Sequence, residues 1–205
     1  MSAINKLAEY FGHFPGIGPR QSKRFVYFLL TRNHRYLEEL AHLLLELKKE
    51  TSLCISCYRF FARNAANSTL CEICRDKNRE PDVLMIVEKD VDFESIEKSG
   101  VHRGRYFVLG GSVPILEKEP EKRVRIQELL DSLRDRSEAG LTEIVLALSA
   151  NPEGENTARY LIEALTPHMK PLDIKISMLG RGLSTGSELE YSDAETIKNA
   201  FQNRA

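Results

Sequence analysis

The sequence predicts a mixed α/β protein in which a helical N-terminal region and a four-cysteine segment precede a Rossmann-like domain with a parallel sheet. Two observations predict this fold class. From about residue 81 onward, short apolar runs alternate with amphipathic helical patterns, which is typical of parallel strands joined by crossover helices. Before that point the apolar residues repeat at helical spacing, and all four cysteines lie between Cys54 and Cys74.

Three helices are predicted in the N-terminal region, which we assign to residues 1–52. Apolar side chains have helical spacing over residues 4–11 and again over 22–30, on either side of a loop rich in Gly and Pro. Residues 37–49 form a third amphipathic pattern, whose apolar stripe consists of Leu40, Leu43, Leu44 and Leu47.

Four apolar runs are predicted to be the strands of the sheet. They cover residues 83–87, 106–109, 144–148 and 174–178, and the helical patterns between them cover 91–97, 123–136 and 157–168. Because crossover helices cover both faces of a parallel sheet, its strands are buried and consist of continuous apolar residues. We assign residues 81–178 to this domain.

The composition is that of a globular chain, with 42% hydrophobic and 29% charged residues among 205. No stretch approaches the roughly 18 uncharged apolar residues that a membrane span needs. The first ten residues also lack the basic and apolar regions of a signal peptide, so we expect a cytoplasmic protein without membrane contact.

Charge is unevenly distributed along the chain. Up to Glu80 there are 13 Lys/Arg against 8 Asp/Glu, and from Pro81 onward there are 16 against 22. A basic first part and an acidic second part indicate two modules with different partners. The alternative is a scatter of charges over solvated surfaces.

The cysteines form two Cys-x-x-Cys pairs, Cys54/Cys57 and Cys71/Cys74, with 13 residues between them. Each pair can direct two thiolates at one point, and two such pairs complete a tetrahedral sulfur site suited to zinc. Because four protein ligands leave no position for water, we expect one structural Zn²⁺ per chain, held by residues 53–80, and we expect its loss to destabilise the N-terminal half. Buried free thiols and a redox pair are the alternatives.

The loop between the first two predicted helices has the composition of a phosphate-binding turn. Gly16 and Gly18 allow backbone amides to approach a ligand closely, and the helix that follows adds its positive N-terminal end. Arg20, Lys23 and Arg24 lie in the first turns of that helix, where cations oppose the helix dipole unless an anion compensates. This pattern resembles a helix-hairpin-helix motif, which binds the phosphate backbone without reading base sequence. An ordinary Gly/Pro turn is the alternative.

Three carboxylates follow predicted strands. Glu88 ends the first strand, and Glu153 and Glu155 come after the third. Ligands of parallel α/β sheets gather at the carboxyl ends of strands, so these acids could share one site. The arrangement resembles a Toprim domain, which holds Mg²⁺ with a strand-end glutamate and an acid-x-acid pair. In the alternative interpretation, Glu155 complements the dipole of a helix and Glu88 is merely exposed.

Taken together, the chain resembles the RecR family of bacterial recombination mediators over nearly its whole length. The order of the segments carries the resemblance: helix-hairpin-helix, four-cysteine zinc finger, Toprim domain and C-terminal segment. The most specific stretches are residues 14–24, 71–76, 86–88, 104–111, 153–158 and 181–191. The chain departs from the family pattern in the loop from Ser112 to Pro120 and in the stretch from Ser149 to Pro152.

The resemblance implies a non-enzymatic mediator of recombinational DNA repair located at the nucleoid. Family members are ring-like homo-oligomers, here expected to be a dimer or tetramer, that bind single- and double-stranded DNA through the backbone. They act with RecO, and in many bacteria with RecF, to load RecA onto single strands at gaps. Residues 179–205 are then expected to serve in oligomerisation.

The resemblance also assigns site residues. Arg20 and Arg24 match the basic DNA-contacting positions of the family, whereas Lys23 is included on its charge alone. Glu88, Glu153 and Glu155 match the face implicated in partner contact, and Mg²⁺ is not expected to be required. Two other functions remain as alternatives: a Mg²⁺-dependent Toprim enzyme that cuts or joins phosphodiesters, and a zinc-stabilised interaction module without a DNA role.

Overall fold

The computed structural model describes residues 1–63, 68–180, 182–183, 186 and 188–202. The chain divides into two compact units, Met1–Ser52 and Leu53–Ala205. The first unit is helical and the second contains a parallel sheet, as the sequence predicts. No helix in the described ranges is both long enough and apolar enough to cross a membrane.

The first unit consists of α1 (Ala3–Gly12), α2 (Pro19–Leu30) and α3 (His34–Glu50). Helix α2 begins three residues earlier than the apolar pattern indicates, because Gly18 is its N-cap and Pro19 occupies the first position, where proline is well accommodated. Helices α1 and α2 pack together, with the Phe11 and Phe25 rings edge to face at 5.8 Å and Val26 buried.

Helix α3 presents an apolar surface to solvent. The predicted stripe is present, but Leu43, Leu44 and Leu47 are 59%, 62% and 59% exposed, and none of the residues of α3 is buried. Leu45 beside them is 70% exposed. Exposed apolar patches of this kind mark interaction surfaces more often than ordinary solvated surface.

The second unit is built on four parallel strands in the order β4-β3-β5-β6: β3 (Val83–Val87), β4 (Arg105–Val108), β5 (Glu143–Ala147) and β6 (Lys175–Met178). The connecting helices are α5 (Asp90–Ser99), α6 (Ile126–Glu138) and α7 (Pro152–Met169). The chain leaves β3 toward β4 and leaves β5 toward β6, so the strand order reverses between the two central strands. Ligands of such sheets bind at the carboxyl ends of strands at this point.

The two faces of the sheet are covered differently. On one face, Leu84 and Ile86 pack with Leu129 of α6 and Leu161 of α7, all of them fully buried. This is the helical covering expected for a parallel sheet.

The other face packs against α5 and the cysteine segment. Met85, Val87, Tyr106 and Val108 share a core with Phe93 of α5, and the same core contains three of the cysteines together with Phe61 and Ile73. Strand β1 (Thr51–Leu53) leads into the cysteine segment, which itself contains β2 (Phe60–Ala62) and the single turn α4 (Glu72–Arg75).

This packing extends the expectation for the cysteines. They are part of the buried face of the sheet in the unit that begins at Leu53, so their effect on stability should reach beyond the N-terminal half. Helix α8 (Ala194–Gln202) lies in the C-terminal segment, where Ile197 and Phe201 are 42% and 67% exposed. Arg181, which is part of the family resemblance, lies outside the described residues.

Candidate functional sites

The four cysteine sulfurs form a compact group in which all ligand atoms lie within 4.8 Å of one another. Cys54, Cys57 and Cys71 have no exposed surface, and the sulfurs of Cys57 and Cys71 are 3.6 Å apart. Zinc–sulfur bonds of about 2.3 Å in a tetrahedron place the sulfurs about 3.8 Å from one another. The geometry and the soft donor set therefore fit a structural zinc ion, which Cys54, Cys57, Cys71 and Cys74 would hold.

Backbone hydrogen bonds shape the two cysteine pairs. In the first, the Tyr58 amide donates to the Cys54 carbonyl at 2.9 Å, and the Cys54 amide donates to the Arg59 carbonyl at 2.9 Å. In the second, Cys71 is the N-cap of α4, and its amide donates to the Cys54 sulfur at 3.4 Å. Each pair is thus held in a turn that directs its sulfurs inward.

Hydrogen bonding within the group shifts the pKa values of the thiols in opposite directions. The side-chain hydrogen bond with Cys57 lowers the pKa of Cys54, and the same contact raises the pKa of Cys57. Since a divalent cation binds thiolates, its binding to the four sulfurs displaces the shared protons and couples metal affinity to pH.

Arginines from the sheet and its helix donate to carbonyls of the cysteine segment. Arg105, the first residue of β4, places Nη1 2.9 Å from the Ile73 carbonyl and 3.1 Å from that of Cys74. Arg136 in the last turn of α6 donates to the Ser56 carbonyl at 2.6 Å. These cations lie beside a centre that would carry a net charge of about −2 with zinc bound to four thiolates, and their charge offsets it.

Burial lowers the pKa of Arg136, whereas the charges of the neighbouring thiolates, Cys74 first among them, act in the opposite direction. Arg105 lies in a stretch of the family resemblance, but no signal in the sequence gave it or Arg136 a role at the cysteines. Their contacts join residues 31 to 80 positions apart, and the local periodicity of a sequence cannot predict which residues meet across such a separation.

The predicted hairpin lies between α1 and α2. Gly16 has φ +74°, a left-handed conformation that strongly favours glycine, and the Ile17 amide closes the turn on the Phe14 carbonyl at 3.1 Å. Gly18 is the N-cap of α2 and offers no side-chain oxygen to the amides of the first turn. Those amides therefore point out of the helix end, where an anion can accept from them.

The three predicted basic residues lie on the exposed surface of α2. Arg20, Lys23 and Arg24 are all exposed, and Arg24 Nη1 lies 3.3 Å from Gln21 Oε1. Helix α2 has no acidic residue in its first turn. The structure thus brings the cations and the positive end of the helix dipole together on one surface.

Glu88 is buried at the carboxyl end of β3, with only 4% of its surface exposed. Its Oε1 accepts from the Ser149 amide at 2.9 Å and its Oε2 from the Ser149 hydroxyl at 3.0 Å. The interpretation of Glu88 as a merely exposed side chain is therefore wrong. The carboxylate instead joins the ends of β3 and β5.

Glu153 and Glu155 lie in the first turn of α7 and are exposed. Glu153 Oε1 accepts from the Ser112 hydroxyl at 2.7 Å. Between the two acids, Gly154 packs so closely on the strand end that a Cβ there would lie 2.0 Å from the Ser149 carbonyl oxygen. This close approach fixes the start of α7 against the ends of the central strands.

The three acids lie at one edge of the sheet without forming a metal-binding group. Among the described residues, the cysteines are the one set of three or more His, Cys, Asp or Glu side chains close enough to hold an ion. The sequence indicated the edge correctly from the strand ends. It did not indicate Ser112 or Ser149, which are ordinary loop residues until the fold places them against carboxylates.

Three protein families match this chain. The helix-hairpin-helix family of RecR matches residues 4–48, the Toprim domain family matches 82–179, and the C-terminal family of RecR matches 182–205. The first two cover the hairpin and the acidic edge described above.

Curated relatives are similar over almost the whole chain. A recombination protein RecR of Nocardioides sp. is 37% identical over 98% of this chain and 95% of its own length. The recombination protein RecR of Dehalococcoides mccartyi is 36% identical over 98% of this chain and 93% of its own length. That of Bdellovibrio bacteriovorus is 34% identical over 100% of this chain and 97% of its own length.

Cys57→Ser is expected to leave well under one zinc ion per chain in purified protein, because a hydroxyl is a poor zinc ligand in a sulfur site. Structural zinc in small fingers binds with on the order of 10 kcal/mol of apparent free energy, so the variant should also be strongly destabilised. Elemental analysis of metal in folded, untreated protein checks this. Ser56→Ala, one residue away, is the control and should keep one zinc; a metal-free wild-type protein would contradict the assignment.

Proposed function

The chain belongs to the RecR family of recombination proteins, and on this basis we propose that it is a DNA-binding mediator of recombinational repair. It would act as a ring-like clamp that, with RecO and with RecF where present, helps to load RecA onto single-stranded DNA at gaps. The observation that carries the DNA-binding part is the exposed basic surface of the hairpin. The proposed location is the cytoplasm, in association with the nucleoid.

The hairpin has the chemistry of a site for the phosphate backbone. Arg20, Lys23 and Arg24 provide three cations, and the turn around Gly16 and Gly18 provides amides at a helix N-terminus. No acid in the first turn of α2 competes for these groups. Because phosphates recur in every sequence and in both strand states, such contacts position the protein on single- or double-stranded DNA without selecting bases.

Self-association follows from the exposed leucines of α3. Leu43, Leu44, Leu45 and Leu47 form an apolar surface on a helix without buried residues. A second copy of the same helix is an occupant of matching chemistry, and burial of each leucine would contribute about 1.5–3 kcal/mol. With a second contact through the C-terminal segment, such pairing would close a dimer or a tetramer ring.

The acidic edge is proposed as the surface for RecO. Glu153 and Glu155 are exposed in the first turn of α7, where they can contact a basic surface on another protein. Glu88 supports this edge from inside through Ser149. Opposite charges across an interface increase the association rate and specificity.

The enzyme alternative has less support. Metal-assisted phosphodiester chemistry needs carboxylates that converge on one ion, whereas the Glu88 carboxylate is committed to Ser149 and Glu153 meets Ser112. A zinc-stabilised interaction module without a DNA role leaves the basic surface of α2 unexplained. We therefore propose a structural zinc ion and no catalysis.

Arg24→Ala or Arg20→Ala is expected to weaken DNA binding several-fold and to make it less dependent on salt. Each lost phosphate contact removes one released counterion, which lowers the slope of log K against log salt by about 0.7 for single strands and about 0.9 for duplex. Fluorescence anisotropy at several salt concentrations and with unrelated sequences measures both quantities. Arg134→Ala, an exposed arginine of α6, is the matched control. Parental binding by Arg24→Ala at every salt concentration would remove the hairpin as the DNA site.

Leu44→Glu and Leu47→Glu are expected to convert the oligomer into smaller species, because a carboxylate cannot be buried in an apolar interface without a partner. Light scattering after size exclusion gives the mass. Leu116→Glu is the matched control, since Leu116 is 91% exposed on a loop of the other unit. An unchanged mass in both α3 variants would show that other surfaces hold the oligomer together.

Glu153→Gln is expected to weaken binding to purified RecO while zinc content and DNA binding stay at parental values. A charge pair buried at the interface would cost on the order of 2 to 5 kcal/mol, whereas a contact at the rim would mainly slow association. Surface plasmon resonance separates the two cases, and Glu163→Gln on the same helix is the control.

The same preparations should show no cleavage, ligation or primer synthesis with Mg²⁺ or Mn²⁺. Metal-dependent turnover that disappears in Glu88→Gln would overturn the scaffold proposal in favour of the enzyme.

A further inference from the structure

Arg125 links the first cysteine pair to the end of a central strand. Its Nη1 donates to the Tyr58 carbonyl at 3.0 Å and to the Val108 carbonyl at 2.9 Å. Tyr58 follows Cys57 directly, and Val108 is the last residue of β4. One guanidinium nitrogen therefore bridges a carbonyl of the cysteine turn and a carbonyl of the sheet. The Val108 amide adds a second link by donating to the Cys57 carbonyl at 2.8 Å.

Tyr58 needs outside support for its backbone. It has φ +59°, a left-handed conformation that costs a non-glycine residue on the order of 1–3 kcal/mol. The centroid of the Tyr58 ring lies 5.3 Å from that of the Phe107 ring, and Arg125 Cζ lies 5.8 Å from the centroid of the Tyr58 ring. The hydrogen bond from Arg125 holds the carbonyl of this strained residue in place, immediately after a metal ligand.

Arg125 also holds the loop that follows β4. The loop turns at Gly110, where φ is +89°, and a Cβ at this position would lie 2.9 Å from Arg125 Cζ. The Arg125 amide donates to the Leu109 carbonyl at 3.0 Å, and the Gly110 amide donates to the Glu88 carbonyl at 2.9 Å. The Arg125 guanidinium thus packs against Gly110 at the start of the loop, while the Arg125 backbone amide closes the end of the loop on Leu109.

The same loop contacts the acidic edge. The Ser112 hydroxyl donates to Glu153 Oε1 at 2.7 Å, and the Val113 amide donates to the buried Thr157 hydroxyl at 2.8 Å. A continuous series of contacts therefore runs from the first cysteine pair through Arg125 and the loop to Glu153. Such a series is a physical route for coupling, and the coupling itself is measurable.

We propose that Arg125 is a positioning residue that couples metal binding by the cysteines to the conformation of residues 109–113, and through them to the placement of Glu153. The proposal rests on the metal site and the acidic partner surface of the proposed function. Metal binding orders the turn at Tyr58, which gives Arg125 the acceptor that fixes it under the loop. Because linkage is reciprocal, an ordered loop also retains the metal more strongly.

The first test measures zinc release into an excess of a chromogenic chelator. Arg125→Met removes all donors at similar length, and Arg125→Lys keeps the charge, but its ammonium nitrogen ends one bond short of Nη1 and lacks the planar group that packs against Gly110. Release is expected to be about tenfold faster in both, the size that one hydrogen bond from a charged donor supplies. Arg123→Met is the control, because Arg123 is exposed, pairs with Glu117 and should release zinc at the parental rate.

The second test follows hydrogen exchange of the Gly110 amide, which donates to Glu88. Removal of zinc should raise its exchange rate several-fold in the parental protein. In Arg125→Met with one zinc bound, exchange should already be fast, and zinc removal should add little.

The outcomes separate the two proposals. If Arg125→Met, or Arg125→Lys should the first variant not fold, binds one zinc with parental release and parental Gly110 exchange, the role of Arg125 is overturned. If the parental protein contains no metal, the zinc site of the proposed function fails, which is a different result.

Discussion

The packing of the cysteine group against one face of the parallel sheet is the constraint on which the second unit depends. A sheet of this kind is normally covered by helices on both faces. Here α6 and α7 cover one face, while α5 covers the other together with the cysteine segment. That segment has few apolar side chains of its own, so it can cover buried strands only if something fixes its shape. Four closely spaced cysteine sulfurs, which would hold a metal ion, can provide this, and arginines from β4 and α6 donate to carbonyls of the turns.

The two charged surfaces belong to different units of the chain. The basic hairpin is in the first unit, and the acidic edge is at the strand ends of the second, which agrees with the uneven charge along the chain. Among the described residues, neither surface contains a group of His, Cys, Asp or Glu side chains close enough to hold a metal ion. Glu88 is buried and hydrogen-bonded to Ser149, so it shapes the edge, whereas Glu153 and Glu155 are exposed.

Much of this could be predicted from the sequence, because periodicity and local spacing carry it. The apolar runs at 83–87 and 144–148 differ from β3 and β5 by no more than one residue, and the two Cys-x-x-Cys pairs do converge. Long-range relations could not be predicted. Nothing local shows that the cysteine segment covers a sheet face, that Arg125 bridges Tyr58 and Val108, or that the leucines of α3 remain exposed in the isolated chain. Amphipathic spacing identifies an apolar stripe but not the surface that covers it.

Hydrogen exchange across the whole chain, with and without zinc, tests the central claim most directly. If the metal-bound cysteine segment is a layer of the sheet core, removal of zinc should reduce amide protection in β3 and β4 as well as in the cysteine segment. Protection in α1 and α2 should change little, since they belong to the other unit. Loss of protection confined to the cysteine segment, with β3 and β4 as protected as before, would contradict the claim that the metal site supports the sheet.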